Sequence, residues 1–206
     1  MIHSVSGSHR VLLLPGWQDS GPAHWQSRWE ALHGFERVQQ HDWMHPLRGD
    51  WVVRLEEAVL ETPPTQGPVW LVAHSLGCLL VAAWAALSRQ THRIGGALLV
   101  APGDPEQPAL RAALHSWVPV PLQPLPFAAR VLASDNDPCC RPERAQAFAS
   151  AWGAGLVPLG PFGHLNAESG LGDWPQGLAH LQALQALPGR PASSAAHAAP
   201  TSSTTF

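Results

Sequence analysis

The chain has 206 residues, 45% of them hydrophobic, and a formal net charge of −3 with 12 Lys+Arg. That apolar content is ample for the core of one compact domain, and the dispersed cations leave no basic patch for nucleic acid or an anionic membrane. The longest uninterrupted apolar stretch, Cys78 to Leu87, is far short of the ~20 residues that span a bilayer.

Met1 to Gly7 carries no cationic start followed by a long apolar core, so a cytoplasmic location is expected. The cysteines agree with this. Cys139 and Cys140 are adjacent and would need a strained bridge, Cys78 lies in an apolar run, and neither a disulfide framework nor a zinc-ligand spacing is present. Ten tryptophans and no tyrosine give the chain a large apolar payload for its length.

Arg10-Val11-Leu12-Leu13-Leu14, closed by Pro15-Gly16, predicts a strand buried on both faces. Ser20 as N-cap and Pro22 just inside the start predict a helix with Trp25, Trp29 and Leu32 on one face, ending at Gly34. A second strand is expected within Phe35–Gln40, followed by a helix capped by Asp50 that carries Val52, Leu55 and Val59 and stops before Pro63-Pro64. Val69–Ala73 reads as a buried strand and Cys78–Leu87 as a buried helix. Gly96–Ala101 and Ala129–Ala133 read as further buried strands. Between those two, prolines recur from Pro102 to Pro126 too often for a long helix, which predicts a pocket-covering loop with at most a short helix around Ala109–Trp117. A helix opened by Pro142, a strand over Leu156–Leu159 and a last helix capped by Asp173 complete the pattern. The alternation predicts an α/β fold, a mostly parallel sheet with helices on both faces, over residues 1–187. From Pro188 the sequence is rich in Ala, Pro, Ser and Thr without periodicity and reads as a disordered tail over 188–206.

The segment Val69–Leu87 carries the chemistry. Its strand breaks at His74-Ser75-Leu76-Gly77 and becomes a helix at once, the context of a nucleophile elbow, in which small residues on either side of the serine let strand and helix pack closely. Ala73 stands where Gly is usual. A serine at such a turn could instead be a plain N-cap, so the reading depends on whether the chain supplies a base and an acid.

Ligands of an open α/β sheet bind at the carboxyl ends of the strands. Ser134-Asp135-Asn136-Asp137-Pro138 and Gly160-Pro161-Phe162-Gly163-His164-Leu165-Asn166 follow two predicted strands, and the order Ser75, Asp137, His164 is that of α/β hydrolases. The imidazole would take the serine proton while the carboxylate fixes its tautomer. Asp135 and Asp104 are rivals for the acid, and Asp137 is preferred because Pro138 fixes its turn. His74 is expected to point away from the serine, and His24 and His180 to be structural or solvated. The backbone N–H groups of Leu76 and Trp17 are candidate oxyanion donors, although Pro15-Gly16 before Trp17 reads equally well as an ordinary turn. Trp17, Trp25 and Trp117 are candidate pocket linings.

Leu14-Pro15-Gly16-Trp17 through His24-Trp25-Gln26, then His74-Ser75-Leu76-Gly77, Asn136-Asp137-Pro138 and Gly163-His164-Leu165-Asn166, resemble the small serine hydrolases related to retinoblastoma-binding protein 9 and bacterial YdeN. The resemblance runs from about Arg10 to Leu187 and implies a compact α/β-hydrolase fold with a minimal cap and the triad Ser75, Asp137, His164. The expectation is therefore a serine hydrolase, esterase-like, acting through an acyl-enzyme on a small ester, thioester or activated amide, without cofactor or metal. The alternative is a hydrolase-fold protein-binding module with an unused triad. A dehalogenase or epoxide hydrolase on the same fold is disfavoured, because those chemistries put a carboxylate at the elbow and position 75 is serine.

Overall fold

The computed structural model describes residues 9–187, and the expected tail from Pro188 lies outside the described residues. Six strands, β1 (Val11–Leu14), β2 (Glu36–Arg37), β3 (Val69–His74), β4 (Ile94–Val100), β5 (Ala128–Ala133) and β6 (Gly155–Pro158), form one sheet in the order β2-β1-β3-β4-β5-β6. Every pairing is parallel. The helices are α1 (Trp25–His33), α2 (Arg48–Leu60), α3 (Leu76–Ala85), α4 (Pro108–Arg111), α5 (Pro142–Trp152) and α6 (Pro175–Gln185).

Because side chains alternate along a strand, β1 feeds two separate cores. Leu12 and Leu14 join Leu55, Leu80 and Phe148 on the face covered by α2, α3 and α5. Val11 and Leu13 join Trp25, Trp29 and Leu181 on the face covered by α1 and α6. Burial on both faces explains why β1 and β3 read as continuous apolar runs rather than as alternation.

The tryptophans have a second role besides filling volume. The indole N–H groups of Trp17, Trp25, Trp29, Trp51, Trp117 and Trp152 each donate to a backbone carbonyl, of Met44, Leu165, Asp173, Asp42, Pro46 and Pro121 respectively. A buried ring thus ties a loop to the core while its polar edge is satisfied.

Several expected helix starts are displaced. α1 begins at Trp25 and is capped by His24, whose Nδ1 accepts the N–H of Gln26. Ser20 instead donates its hydroxyl to Gln26 Oε1. α2 begins at Arg48, so Asp50 sits in its first turn rather than capping it. Asp173 does not cap α6 either, since Trp174 occupies that position with φ 42° and the Asp173 carboxylate pairs with Arg28. For Ser20 and Asp173 local propensity nominates a cap, but a competing tertiary partner takes the side chain.

The candidate active site

A parallel sheet directs every strand's carboxyl end to one edge, where the following loops converge. Trp17 follows β1, Ser75 follows β3, Gly103 follows β4, Asp137 follows β5 and His164 follows β6, and the sheet order brings these five loops together.

Ser75 has φ 53° and ψ −117°, a conformation that side chains rarely adopt and that costs on the order of 1–3 kcal/mol. Its N–H donates to the Val100 carbonyl at 3.0 Å and its carbonyl accepts from Cys78 N–H at 3.0 Å, so the end of β4 and the first turn of α3 hold the turn. The hydroxyl makes no capping bond to α3. The close approach needs Gly77, because a Cβ there would lie 2.1 Å from the Leu14 carbonyl oxygen. Gly16 and Gly103 keep the space around the hydroxyl open, since a Cβ at either would sit 3.3 Å from Ser75 Oγ.

His164 Nε2 lies 2.8 Å from Ser75 Oγ, and Nδ1 lies 2.8 and 2.9 Å from the two oxygens of Asp137. The carboxylate accepts the Nδ1 proton, which leaves the Nε2 lone pair for the serine O–H. Asp137 Oδ1 also accepts the N–H of Cys139 at 2.8 Å. Among the rivals, Asp135 is exposed and Asp104 lies near Arg144. Burial opposes a charge on His164, but the hydrogen bond to Asp137, then the Cys139 side chain and the carboxylate's charge, outweigh it and raise its pKa.

Four side chains outside this chain of hydrogen bonds fix the loop that carries His164. Ser134 Oγ accepts Phe162 N–H at 2.9 Å and Asn136 Oδ1 accepts Gly163 N–H at 2.7 Å. His74 Nε2–H donates to the His164 carbonyl at 2.9 Å, and Trp25 Nε1–H donates to the Leu165 carbonyl at 2.8 Å. Leu165 itself is held at φ 49°.

His74 therefore belongs to the site. It points away from the serine, as expected, but toward the base loop. His24 meets it edge-on with ring centroids 4.7 Å apart, and the His74 ring lies 4.9 Å from that of His164. Sequence reasoning missed both, and the signal that could have found them was their placement beside segments already singled out, His74 before Ser75 and His24 before Trp25.

A cavity of about 440 Å³ opens over Ser75. Trp17, Pro105, Leu110 and Leu114 form its apolar wall, and Gln18 and Asn166 add polar groups. The proline-rich excursion thus lends Pro105, Leu110 and Leu114 to the pocket, and it holds α4 (Pro108–Arg111) followed by a 3₁₀ turn at His115–Trp117. Of the expected linings, Trp17 is present, whereas Trp25 and Trp117 are each only 1% exposed and lie in the two cores. Their indole N–H groups anchor loops instead, so neither meets the cavity. Leu76 opens α3, where an N–H has no intrahelical acceptor, and its side faces the same cavity as Trp17.

Fold and site together define an α/β hydrolase. The family model described as serine hydrolase matches residues 11–183, and the chain belongs to that family. No curated protein matches it. Among solved structures, it is similar to a YdeN-like hydrolase from Pectobacterium atrosepticum, with 32% identity, a TM-score of 0.74, and coverage of 85% of this chain and 90% of that one. It also resembles the ydeN gene product of B. subtilis, at 19% identity and a TM-score of 0.65 over 86% of this chain and 98% of that one. The fold extends to Est1E of Butyrivibrio proteoclasticus, a structure with bound ferulic acid, at 14% identity and a TM-score of 0.58 over 86% of each chain. Among the described residues, no helix is long and apolar enough to cross a membrane.

Proposed function

We propose that the protein hydrolyses small esters, thioesters or activated amides through an acyl-enzyme formed on Ser75. The observation that carries this reading is the continuous hydrogen-bonded chain from Ser75 Oγ through His164 to Asp137, set on a strained turn whose hydroxyl has no other structural task.

In the first half-reaction Ser75 Oγ attacks the acyl carbon and passes its proton to His164 Nε2. Asp137 steadies the imidazolium at Nδ1 without taking its proton. The backbone N–H groups of Leu76 and Trp17 are the donors for the developing oxyanion; removal of one such donor elsewhere costs about 10²–10³ in rate. The imidazolium then gives its proton to the leaving group. In the second half-reaction water takes the place of Ser75, His164 again removes a proton, and the acid is released with the serine restored. The apolar wall of Trp17, Pro105, Leu110 and Leu114 suits a small acyl group rather than a charged one.

The test is intact-mass labelling with a fluorophosphonate probe. One adduct is expected on the wild type and none on Ser75→Ala or His164→Ala. Folded wild-type protein that takes no adduct would overturn the reading.

A further inference from the structure

The turn after β5 brings a thiol to the acid and the base. Asp137 Oδ1 accepts the N–H of Cys139, which curls the chain so that the Cys139 side chain returns to the carboxylate it has just left. One donor atom each from Asp137, Cys139 and His164 lies within 4.8 Å of the others. Cys139 and His164 both line the cavity over Ser75, so the cluster has a path to solvent.

We propose that Asp137, Cys139 and His164 form a binding site for a borderline-soft divalent cation, of which Zn²⁺ is the type, and that a bound cation switches the hydrolase off. The off-switch rests on the acyl-enzyme reading above, whereas the binding does not. Thiolate, imidazole and carboxylate are the three ligand types that Zn²⁺ accepts, and a fourth position would remain for water from the cavity. Donors around a tetrahedral ion with bonds of about 2.0–2.1 Å stand roughly 3.3 Å apart. His164 Nδ1 and the nearer Asp137 oxygen are 2.8 Å apart, so they must open by a few tenths of an ångström.

Inhibition follows from proton accounting. In the active enzyme, with His164 neutral, the cation takes the place of the proton through which Nδ1 is hydrogen-bonded to Asp137. That proton moves to Nε2, the thiol releases its own proton to solvent, and one proton is lost in all. Nε2 then carries N–H where it previously offered a lone pair, and Ser75 has no base. The sequence showed no zinc spacing because Cys139 and His164 are separated by α5 and β6.

The full-length protein is titrated with Co²⁺ as a spectroscopic stand-in and, separately, with Zn²⁺. Exposed histidines such as His45 beside Asp42 offer competing weak sites, so the comparison with Cys139→Ser and Cys139→Ala carries the test. A thiolate-to-cobalt charge-transfer band is expected in the wild type and absent from both variants. Zn²⁺ should suppress fluorophosphonate labelling at least tenfold, with recovery on chelation. Each variant, compared with its own metal-free rate, should need at least tenfold more Zn²⁺ for the same suppression. A wild type without the band, or variants as zinc-sensitive as the wild type, would overturn the site. A band in protein that never labels would uphold the cation site and sink the hydrolase reading, so the two failures are distinguishable.

Discussion

His74 Nε2–H donates to the main-chain carbonyl of His164 at 2.9 Å, so the residue before the nucleophile holds the loop of its base. Serine and histidine are thereby referenced to each other twice, once through the reacting hydrogen bond and once through β3. Loss of a single buried hydrogen bond costs about 1–2 kcal/mol. His74→Leu should accordingly lower kcat roughly tenfold. His74→Gln, which keeps an N–H near the Nε2 position, should recover most of the loss. Steady-state kinetics with a p-nitrophenyl ester check this, and equal kcat in the two variants would remove His74 from the positioning role.

The pH dependence of hydrolysis follows from the raised pKa of His164. The base must be neutral to accept the serine proton, so kcat/KM should rise with pH, with a midpoint above the ordinary imidazole value of 6.5. A profile flat between pH 5 and 9 would remove His164 as the base.

Stability should fall in acid for a separate reason. Burial, with Arg37 and then His164 adding repulsion, lowers the His24 pKa to about 3, and burial with the neighbouring imidazoles lowers that of His74 well below its ordinary value. Both histidines stay neutral in the folded chain and take protons in the unfolded chain below about pH 6.5. The unfolded state therefore binds more protons in that window, and stability is present above it and lost as pH falls. Each buried histidine contributes a slope approaching ~1.4 kcal/mol per pH unit. His164 has the opposite sign of shift and adds nothing to the loss below 6.5, since both states hold its proton there. Urea unfolding between pH 4 and 7 should show this slope, and His24→Gln should reduce it.

Two glycines should respond differently to a methyl group. Gly77→Ala forces a Cβ to 2.1 Å from the Leu14 carbonyl oxygen, a backbone atom that cannot turn aside. A destabilisation of about 3 kcal/mol or more, or failure to fold, is expected. In Gly103→Ala the methyl group would meet Ser75 Oγ at 3.3 Å and Leu76 N at 4.0 Å. That variant should fold with a nearly unchanged melting temperature and lose kcat, because the methyl group crowds the space for the oxyanion. Thermal melts beside ester kinetics separate the two outcomes.

The strands, the elbow and the order serine, acid, histidine were legible in the chain because each is written locally. A buried parallel strand must be an apolar run, and a chain that reverses sharply between two such segments leaves a short polar signature. Boundaries were less legible. Phe35–Gln40 holds only Glu36–Arg37 as strand, the expected caps Ser20 and Asp173 are engaged elsewhere, and Asp50 falls inside the first turn of α2. The tryptophans were misassigned for the same reason. A proline-rich cover and abundant Trp nominate Trp25 and Trp117 as linings of an apolar pocket, yet the direction of an indole depends on which core closes over it.

The sequence by itself determined that Val69–His74 would be a buried strand, that Ser75 would stand on the turn after it, and that an acid and a histidine would follow later strands, since periodicity and turn chemistry act over a few residues. Only the tertiary structure decided that Asp137 and not Asp135 or Asp104 meets His164, that Cys139 comes to lie beside that histidine, and that His74 and Trp25 grip the base loop. Those relations join residues up to 140 positions apart, as Trp25 and Leu165 are. Contacts of that kind exist only after the sheet has ordered its strands, and no local propensity encodes them.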